Sequence, residues 1–176
     1  MRVSRMAVLL VAPLALAAQQ HDHSAMVAAQ AKTAEMSHHA FLEMERGAIE
    51  RGEGFGMALA ADRNGFPGPK HILELKTELG LTAEQQAGVE KLMAEMREKA
   101  VAKGREILDA EKKLEEMFAA GRAERELRTQ TNRIAEMRGE LRWVHLATHV
   151  AARKVLTAGQ NAKYQELRHG AGGQSD

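Results

Sequence analysis

Leu81-Thr82-Ala83-Glu84-Gln85 and, 75 residues later, Leu156-Thr157-Ala158-Gly159-Gln160 are two copies of one pattern, and the fold follows from reading both as helix starts. In each copy a threonine is followed three residues on by a glutamine. The hydroxyl accepts the amide proton of the third helical residue, and the glutamine side chain reaches back to the threonine amide, which makes a capping box. The next position is polar in both copies, Gln86 and Asn161. Leu81 and Leu156 therefore have no local apolar partner and are expected to pack against other elements.

Between the two boxes the apolar residues recur every seven. Met93, Ala100, Ile107 and Leu114 form one series, interleaved with Val89, Met96, Lys103, Ala110 and Met117, of which only Lys103 is charged. A second series follows, Leu127, Ile134, Leu141, Thr148 and Val155, interleaved with Gln130, Met137, Val144 and Ala151. This periodicity, in a stretch rich in Ala, Glu, Lys, Leu and Arg, predicts two long paired helices. Ala119-Ala120-Gly121 is the break between them, with Gly121 suited to follow a helix end. The expected fold is all-α: a long antiparallel helical hairpin over 82–120 and 123–155, with short flanking helices. Gly88, Gly104 and Gly139 each cost up to ~1 kcal/mol relative to alanine and mark where bending is expected. One apolar stripe per helix is little core for so long a pair, so a dimer is expected.

Outside the pair, Pro67-Gly68-Pro69 marks the start of the folded part, a domain over 67–169. Ile72, Leu75 and Leu79 have helical spacing within 70–79, and Gly80 ends that helix. A last helix over 158–168 places Tyr164 and Leu167 on one side, and 170–176 reads as a disordered tail. Residues 18–66 read as a mobile, His/Met-rich arm, with one short helix near 38–49 that starts after Ser37 and puts Phe41, Leu42 and Ile49 on one face. Residues 1–17 read as a signal peptide: Arg2 and Arg5 precede the apolar run Met6–Leu16, and Ala15-Leu16-Ala17 is a small-x-small cleavage pattern. That run spans roughly 16 Å as a helix, about half a bilayer core. Cleavage near Ala17 and export to the periplasm are expected.

Composition removes several functions. Lys+Arg 25 against Asp+Glu 24 leaves a net charge of +1, without the electrostatic footprint of a duplex binder. Four Phe, one Trp and one Tyr are too few for a stacking platform, so no nucleic-acid partner is expected. Zero Cys excludes disulfides, thiolate metal sites and a cysteine nucleophile. No glycine-rich phosphate loop and no nucleophile–base set is legible, so the chain reads as a non-enzyme with no required cofactor.

Two faces of the second long helix go beyond the seam. Trp143, Leu146 and Val150 lie nearly opposite it, either covered by the short helices or a dimer mate, or open to apolar segments of other proteins. Between them run Arg138, Arg142, His145 and His149, a cationic stripe whose charge rises as pH falls. It reads as a solvated face, as a surface for an anionic partner, or, through His145 and His149 at i,i+4, as a two-point metal site. The arm adds His21, His23, His38 and His39 with Met26, Met36 and Met44, imidazoles and thioethers that suit zinc, nickel or copper.

Two Leu-Thr-x-x-Gln motifs bracketing heptad helices behind an export signal resemble the Spy/CpxP family of periplasmic helical proteins. The matching residues are Leu81, Thr82 and Gln85, then Leu156, Thr157 and Gln160, together with the run from Ile134-Ala135-Glu136-Met137 through His145 to Leu156 and Tyr164. The relatives include zinc-associated periplasmic proteins and heavy-metal sensors of the CnrX type. The resemblance, over about 70–169, implies a cradle-like dimer that suppresses aggregation without ATP, modulates a membrane sensor kinase, or binds metal. The function expected is an ATP-independent periplasmic chaperone for unfolded or misfolded clients, metal-responsive through its histidines, with Arg138, Arg142, Trp143, Leu146 and Val150 as the contact surface. The alternative is a periplasmic scavenger or sensor of zinc, copper or nickel.

Overall fold

A computed structural model describes Ser37 and residues 39–170, the His169 side chain excepted. The expected signal peptide, His21, His23, His38 and residues 171–176 lie outside the described residues. The chain divides into two units, Met1–Glu43 and Met44–Asp176. In the first, residues 39–43 are helical and exposed, His39, Phe41 and Leu42 among them.

The second unit opens with helical residues 44–51 (α1), followed by α2 (Leu59–Arg63), α3 (Pro69–Glu74), α4 (Lys76–Leu79), α5 (Ala83–Ala119), α6 (Glu124–Val155) and α7 (Ala158–His169). Every regular element among the described residues is a helix. At about 1.5 Å per residue α5 is roughly 55 Å long and α6 roughly 48 Å. The two pack on each other along their length, through contacts that rise along one as they descend the other. Gln130 Nε2 donates to Ala110 O at 2.8 Å, Glu140 meets Lys103, and Val155 O is reached by Gln85 Nε2.

The helix ends are made by the residues that announced them. Thr82 Oγ1 accepts from Gln85 N at 3.1 Å while Gln85 Oε1 accepts from Thr82 N at 3.1 Å, and Thr157 and Gln160 repeat this at 3.2 and 2.9 Å. Gly121, at φ +61°, closes α5: its amide donates to Phe118 O and that of Arg122 to Met117 O, the Schellman pattern that satisfies the last carbonyls. Asn161, in place of an apolar staple residue, donates to Arg153 O at 3.1 Å and Leu156 O at 3.3 Å and so caps the end of α6. The single helix expected over 70–79 is interrupted at Leu75, where φ −102°, ψ 19° separates α3 from α4.

Two clusters form the core. Ile49, Ala100, Ile107, Ala110, Ile134, Met137 and Leu141 make the first. Ile72, Leu79, Val89, Ala152, Leu156 and Tyr164 make the second, with Leu81 packed against it, so both motif leucines are used away from their own helix starts. The first cluster corrects the expected boundary at residue 67. Ala48 and Ile49 are each 2% exposed, so residues 44–66 contribute packing and are no mobile arm. The reason lies at Gly104, buried in mid-α5: a Cβ there would sit 2.5 Å from Ile49 O and 3.0 Å from Ile49 Cγ2. The missing side chain lets the α1 backbone lie directly on α5. Gly104 thus serves close approach, where bending was expected.

Candidate functional site

The faces of α6 that carry the candidate residues have separate fates. Arg138, Arg142, His145 and His149 do not form an exposed cationic stripe. The Arg138 guanidinium is held by Glu111 at 2.9 Å and Glu45 at 2.8 Å, each carboxylate taking part of the planar fork. His145 is 3% exposed. Arg142 stays in solvent, and the paired Arg138 side chain is 39% exposed. The correction has a simple physical cause: residues 44–71, expected to be mobile as far as residue 66, cover this side of α6 and bring Glu45, Gly54 and Phe66 to it.

Beneath that cover lies a cavity of about 670 Å³ between residues 51–71, the first half of α5 and α6. His145 and His149 line it together with His71, Met93, Met96, Lys70 and Arg97. The His149 Nδ1 lies 2.8 Å from Phe66 O. A carbonyl only accepts, so the proton is on Nδ1 and the Nε2 lone pair of the neutral ring is free. That edge lies beside Gly68, where a Cβ would come within 3.0 Å of Nε2. His145 faces Gly54 in the same way, where a Cβ would come 3.3 Å from Nδ1, and its buried Nε2 has no hydrogen-bond partner. Two glycines thus make room for two imidazoles, and one buried ring nitrogen has nothing to bind.

The carboxylates nearby are committed elsewhere. Glu53 is forked by Arg51 at 2.8 and 2.9 Å, and this bond holds its carboxyl below the usual range. Asp62 accepts from Tyr164 Oη at 3.1 Å and pairs with Arg168 at 3.7 Å. His71 turns both ring nitrogens to this group, Nδ1 3.5 Å from Tyr164 Oη and Nε2 3.5 Å from Arg168. Among the described residues no three of His, Cys, Asp and Glu stand together as a metal cluster.

Burial, reinforced by His149, lowers the pKa of His145 from its ordinary 6.5, and burial with Arg168 beside it does the same to His71. Both rings bind fewer protons folded than unfolded. As pH falls below about 6.5 the unfolded chain takes up protons that the folded chain refuses, so stability falls; above it both states are neutral and the contribution is flat. The urea midpoint of the metal-free protein is expected to be lower at pH 5.5 than at 7.5, with a smaller drop in His145→Gln. Equal midpoints at the two pH values would contradict this.

On another face Trp143 is 61% exposed, while Leu146 and Val150 are half-buried. Val150 belongs to an open groove of about 450 Å³ between α5 and α6, lined by Gly88, Leu92, Ala147, Ala151 and Val155 and rimmed by Lys91, Glu95 and Lys154. Trp143, Ala147, Val150 and Lys154 follow one another at i, i+4, i+7 and i+11, a single stripe of α6.

Sequence reasoning finds His145 and His149 but misses Met93 and Met96 on the lining of the same cavity, because heptad spacing assigns both to the seam. The signal that could have found them is the glycine-rich run Gly52–Gly56, a segment able to approach a helix closely. Compared with known proteins, the chain matches no family model, no curated protein and no solved structure.

Proposed function

We propose that this chain is an exported stress protein that holds unfolded or misfolded polypeptides without ATP, its α5–α6 pair forming a hairpin within a cradle-like dimer in the periplasm. The observation that carries the reading is the uncovered stripe of α6, with Trp143 61% exposed beside the apolar groove at Val150. The opposite side of the same helix is fully used in packing, so the stripe has no part in the core. The paired Leu-Thr-x-x-Gln motifs, with their likeness to Spy/CpxP proteins, support the same assignment. Burying a few hundred Å² of apolar surface yields several kcal/mol gross at ~25 cal/mol per Å². Ordering costs reduce that to reversible binding on the order of micromolar. Arg142 supplies the charge for initial attraction; Arg138, already paired, does not.

The purified protein is expected to suppress light scattering of a denatured client at near-stoichiometric ratios without nucleotide. Trp143→Ala should raise the concentration needed roughly five- to tenfold, the loss of one anchoring side chain of about 1 kcal/mol or more. Unchanged scattering with the unsubstituted protein would overturn the reading. Loss of one specific complex with a membrane sensor kinase, with aggregation unaffected, would instead make this stripe a docking face.

A second reading is favoured by one specific observation: His145, whose buried Nε2 has no hydrogen-bond partner, and His149 line the same cavity. Buried polar atoms are normally paired, and an exception marks a ligand, an ion or strain. On this reading the cavity takes zinc, copper or nickel and makes the protein a metal scavenger or sensor. His149 is already in the arrangement usual for a ligating histidine, its second ring nitrogen held by a backbone carbonyl.

A further inference from the structure

We infer that the cavity beneath residues 51–71 selects monovalent copper over zinc and nickel, with Met93 and Met96 completing a soft site begun by His145 and His149. The inference rests on the metal reading of that cavity and concerns which ion it takes. Four side chains that can donate to a soft metal line one cavity: two imidazoles from α6 and two thioethers from α5. Thioether sulfur is a weak ligand for zinc and nickel and a good one for Cu(I), while imidazole serves all three.

The harder ions lack what they need here. Zinc sites close with four strong ligands, drawn from thiolate, imidazole and carboxylate. The chain has no cysteine. Glu53 is taken by Arg51, and Asp62 by Arg168 and Tyr164. His71, the third histidine of the cavity, faces that second group with both nitrogens. Charge points the same way: Lys70 and Arg97 line the cavity, so each unit of positive charge brought in is opposed, and a monovalent ion is opposed half as strongly as a divalent one.

The test uses the full chain and four variants, His145→Ala, Met93→Leu, Met96→Leu and the double leucine variant, because leucine keeps the volume and hydrophobicity of methionine and leaves packing intact. Cu(I) is supplied anaerobically in competition with a chromophoric Cu(I) chelator; Zn(II) and Ni(II) are titrated in parallel by calorimetry. Whatever the arm histidines take up is common to every variant, so the readout is the equivalent that disappears. One Cu(I) equivalent is expected to be lost in His145→Ala. Its affinity should fall at least about tenfold in the double leucine variant, no less than the loss of a supporting contact costs a metal site. No zinc or nickel equivalent should depend on His145. A zinc or nickel equivalent lost in His145→Ala, or Cu(I) binding indifferent to both methionines, overturns the selectivity and leaves the metal reading standing. If no ion's binding depends on His145 while circular dichroism reports that variant folded, the metal reading falls and the selectivity with it.

Discussion

Gln85→Ala is expected to lower stability by about 2–3 kcal/mol, measured as a fall in the urea midpoint at unchanged slope, although the residue sits in the first turn of a helix and is half-exposed. The amide of Gln85 is fully used. Its oxygen accepts from Thr82 N at 3.1 Å and from Gln160 Nε2 at 2.9 Å; its nitrogen donates to Gln160 Oε1 at 2.8 Å and to Val155 O at 2.9 Å. Gln160 mirrors it, accepting from Thr157 N and donating to Leu79 O and Gly80 O at 3.3 Å. The two capping boxes are therefore joined by a reciprocal amide pair that ties together the ends of α4 and α6 and the starts of α5 and α7. Alanine removes half of a cap, of order 0.5–1 kcal/mol, and three part-buried hydrogen bonds: the two that Gln85 donates are worth about 1 kcal/mol each, and the one it accepts costs little because Gln160 Nε2 keeps Leu79 O and Gly80 O. Gln160→Ala should cost about as much.

Two further variants separate this network from capping alone. Gln85→Glu keeps the acceptor at a helix N-terminus, where a negative charge is favoured by about 0.3–1 kcal/mol. It loses both donors, however, and turns a carboxylate oxygen toward Val155 O and Gln160 Oε1. It should therefore be as destabilising as alanine, where a capping role alone would make it neutral or stabilising. The double variant Gln85→Ala/Gln160→Ala should cost less than the sum of the single ones by about 1 kcal/mol, since the pair is broken by either change. Strict additivity would mean that the two boxes act independently.

How far the sequence is legible follows from what kind of interaction each residue makes. The capping boxes are local, three residues long, and their hydrogen bonds follow from spacing alone, so Thr82, Gln85, Thr157 and Gln160 can be placed at helix starts from their order in the chain. The seam is periodic: Ile107, Ile134 and Leu141 fall where a seven-residue repeat puts them, at 0, 5 and 1% exposure. The contact between Gln85 and Gln160 is not legible, because nothing in either box says that two helix starts 75 residues apart meet. The packed state of residues 44–66 is hidden for a different reason. Its glycines, histidines and scattered apolar residues resemble an unstructured arm in composition, and its packing depends on a few single residues. Ile49 fills the first core cluster, Glu45 pairs with Arg138, and Gly54 admits His145. Each is a tertiary contact with no periodic trace. The candidate site inherits that blindness: the histidines stand out by their own i,i+4 spacing, and the cavity that gives them meaning is made by a segment whose composition reads as unstructured.

The glycines of the two long helices give the second large effect, and its sign differs between positions that helix propensity treats alike. By propensity each Gly→Ala change in mid-helix should stabilise by about 0.8–1 kcal/mol. At Gly139 a new Cβ meets nothing within 4 Å, and the full gain is expected. At Gly88 the nearest atom is Val155 Cγ1 at 3.7 Å, an ordinary contact, so a gain is expected there too. At Gly104 the same methyl would stand 2.5 Å from the carbonyl oxygen of Ile49 and 3.2 Å from its carbonyl carbon. Backbone cannot swing aside as a side chain does, so α1 must lift from α5 or α5 must bend. Overpacking of this kind costs about 1–3 kcal/mol, and lifting Ile49 also gives up part of the first core cluster. Gly104→Ala is therefore expected to be net destabilising by about 1–2 kcal/mol, while Gly139→Ala raises the urea midpoint of the same protein. Amide exchange should separate the cause. In Gly104→Ala protection should drop at Ile49 and at Gly52 and Glu53, whose amides donate to Ile49 O and Ala48 O, and persist around Ile134 and Leu141. A stabilised Gly104→Ala would mean that α1 does not lie on α5 in solution, and the cover over His145 would then have to be held by other contacts.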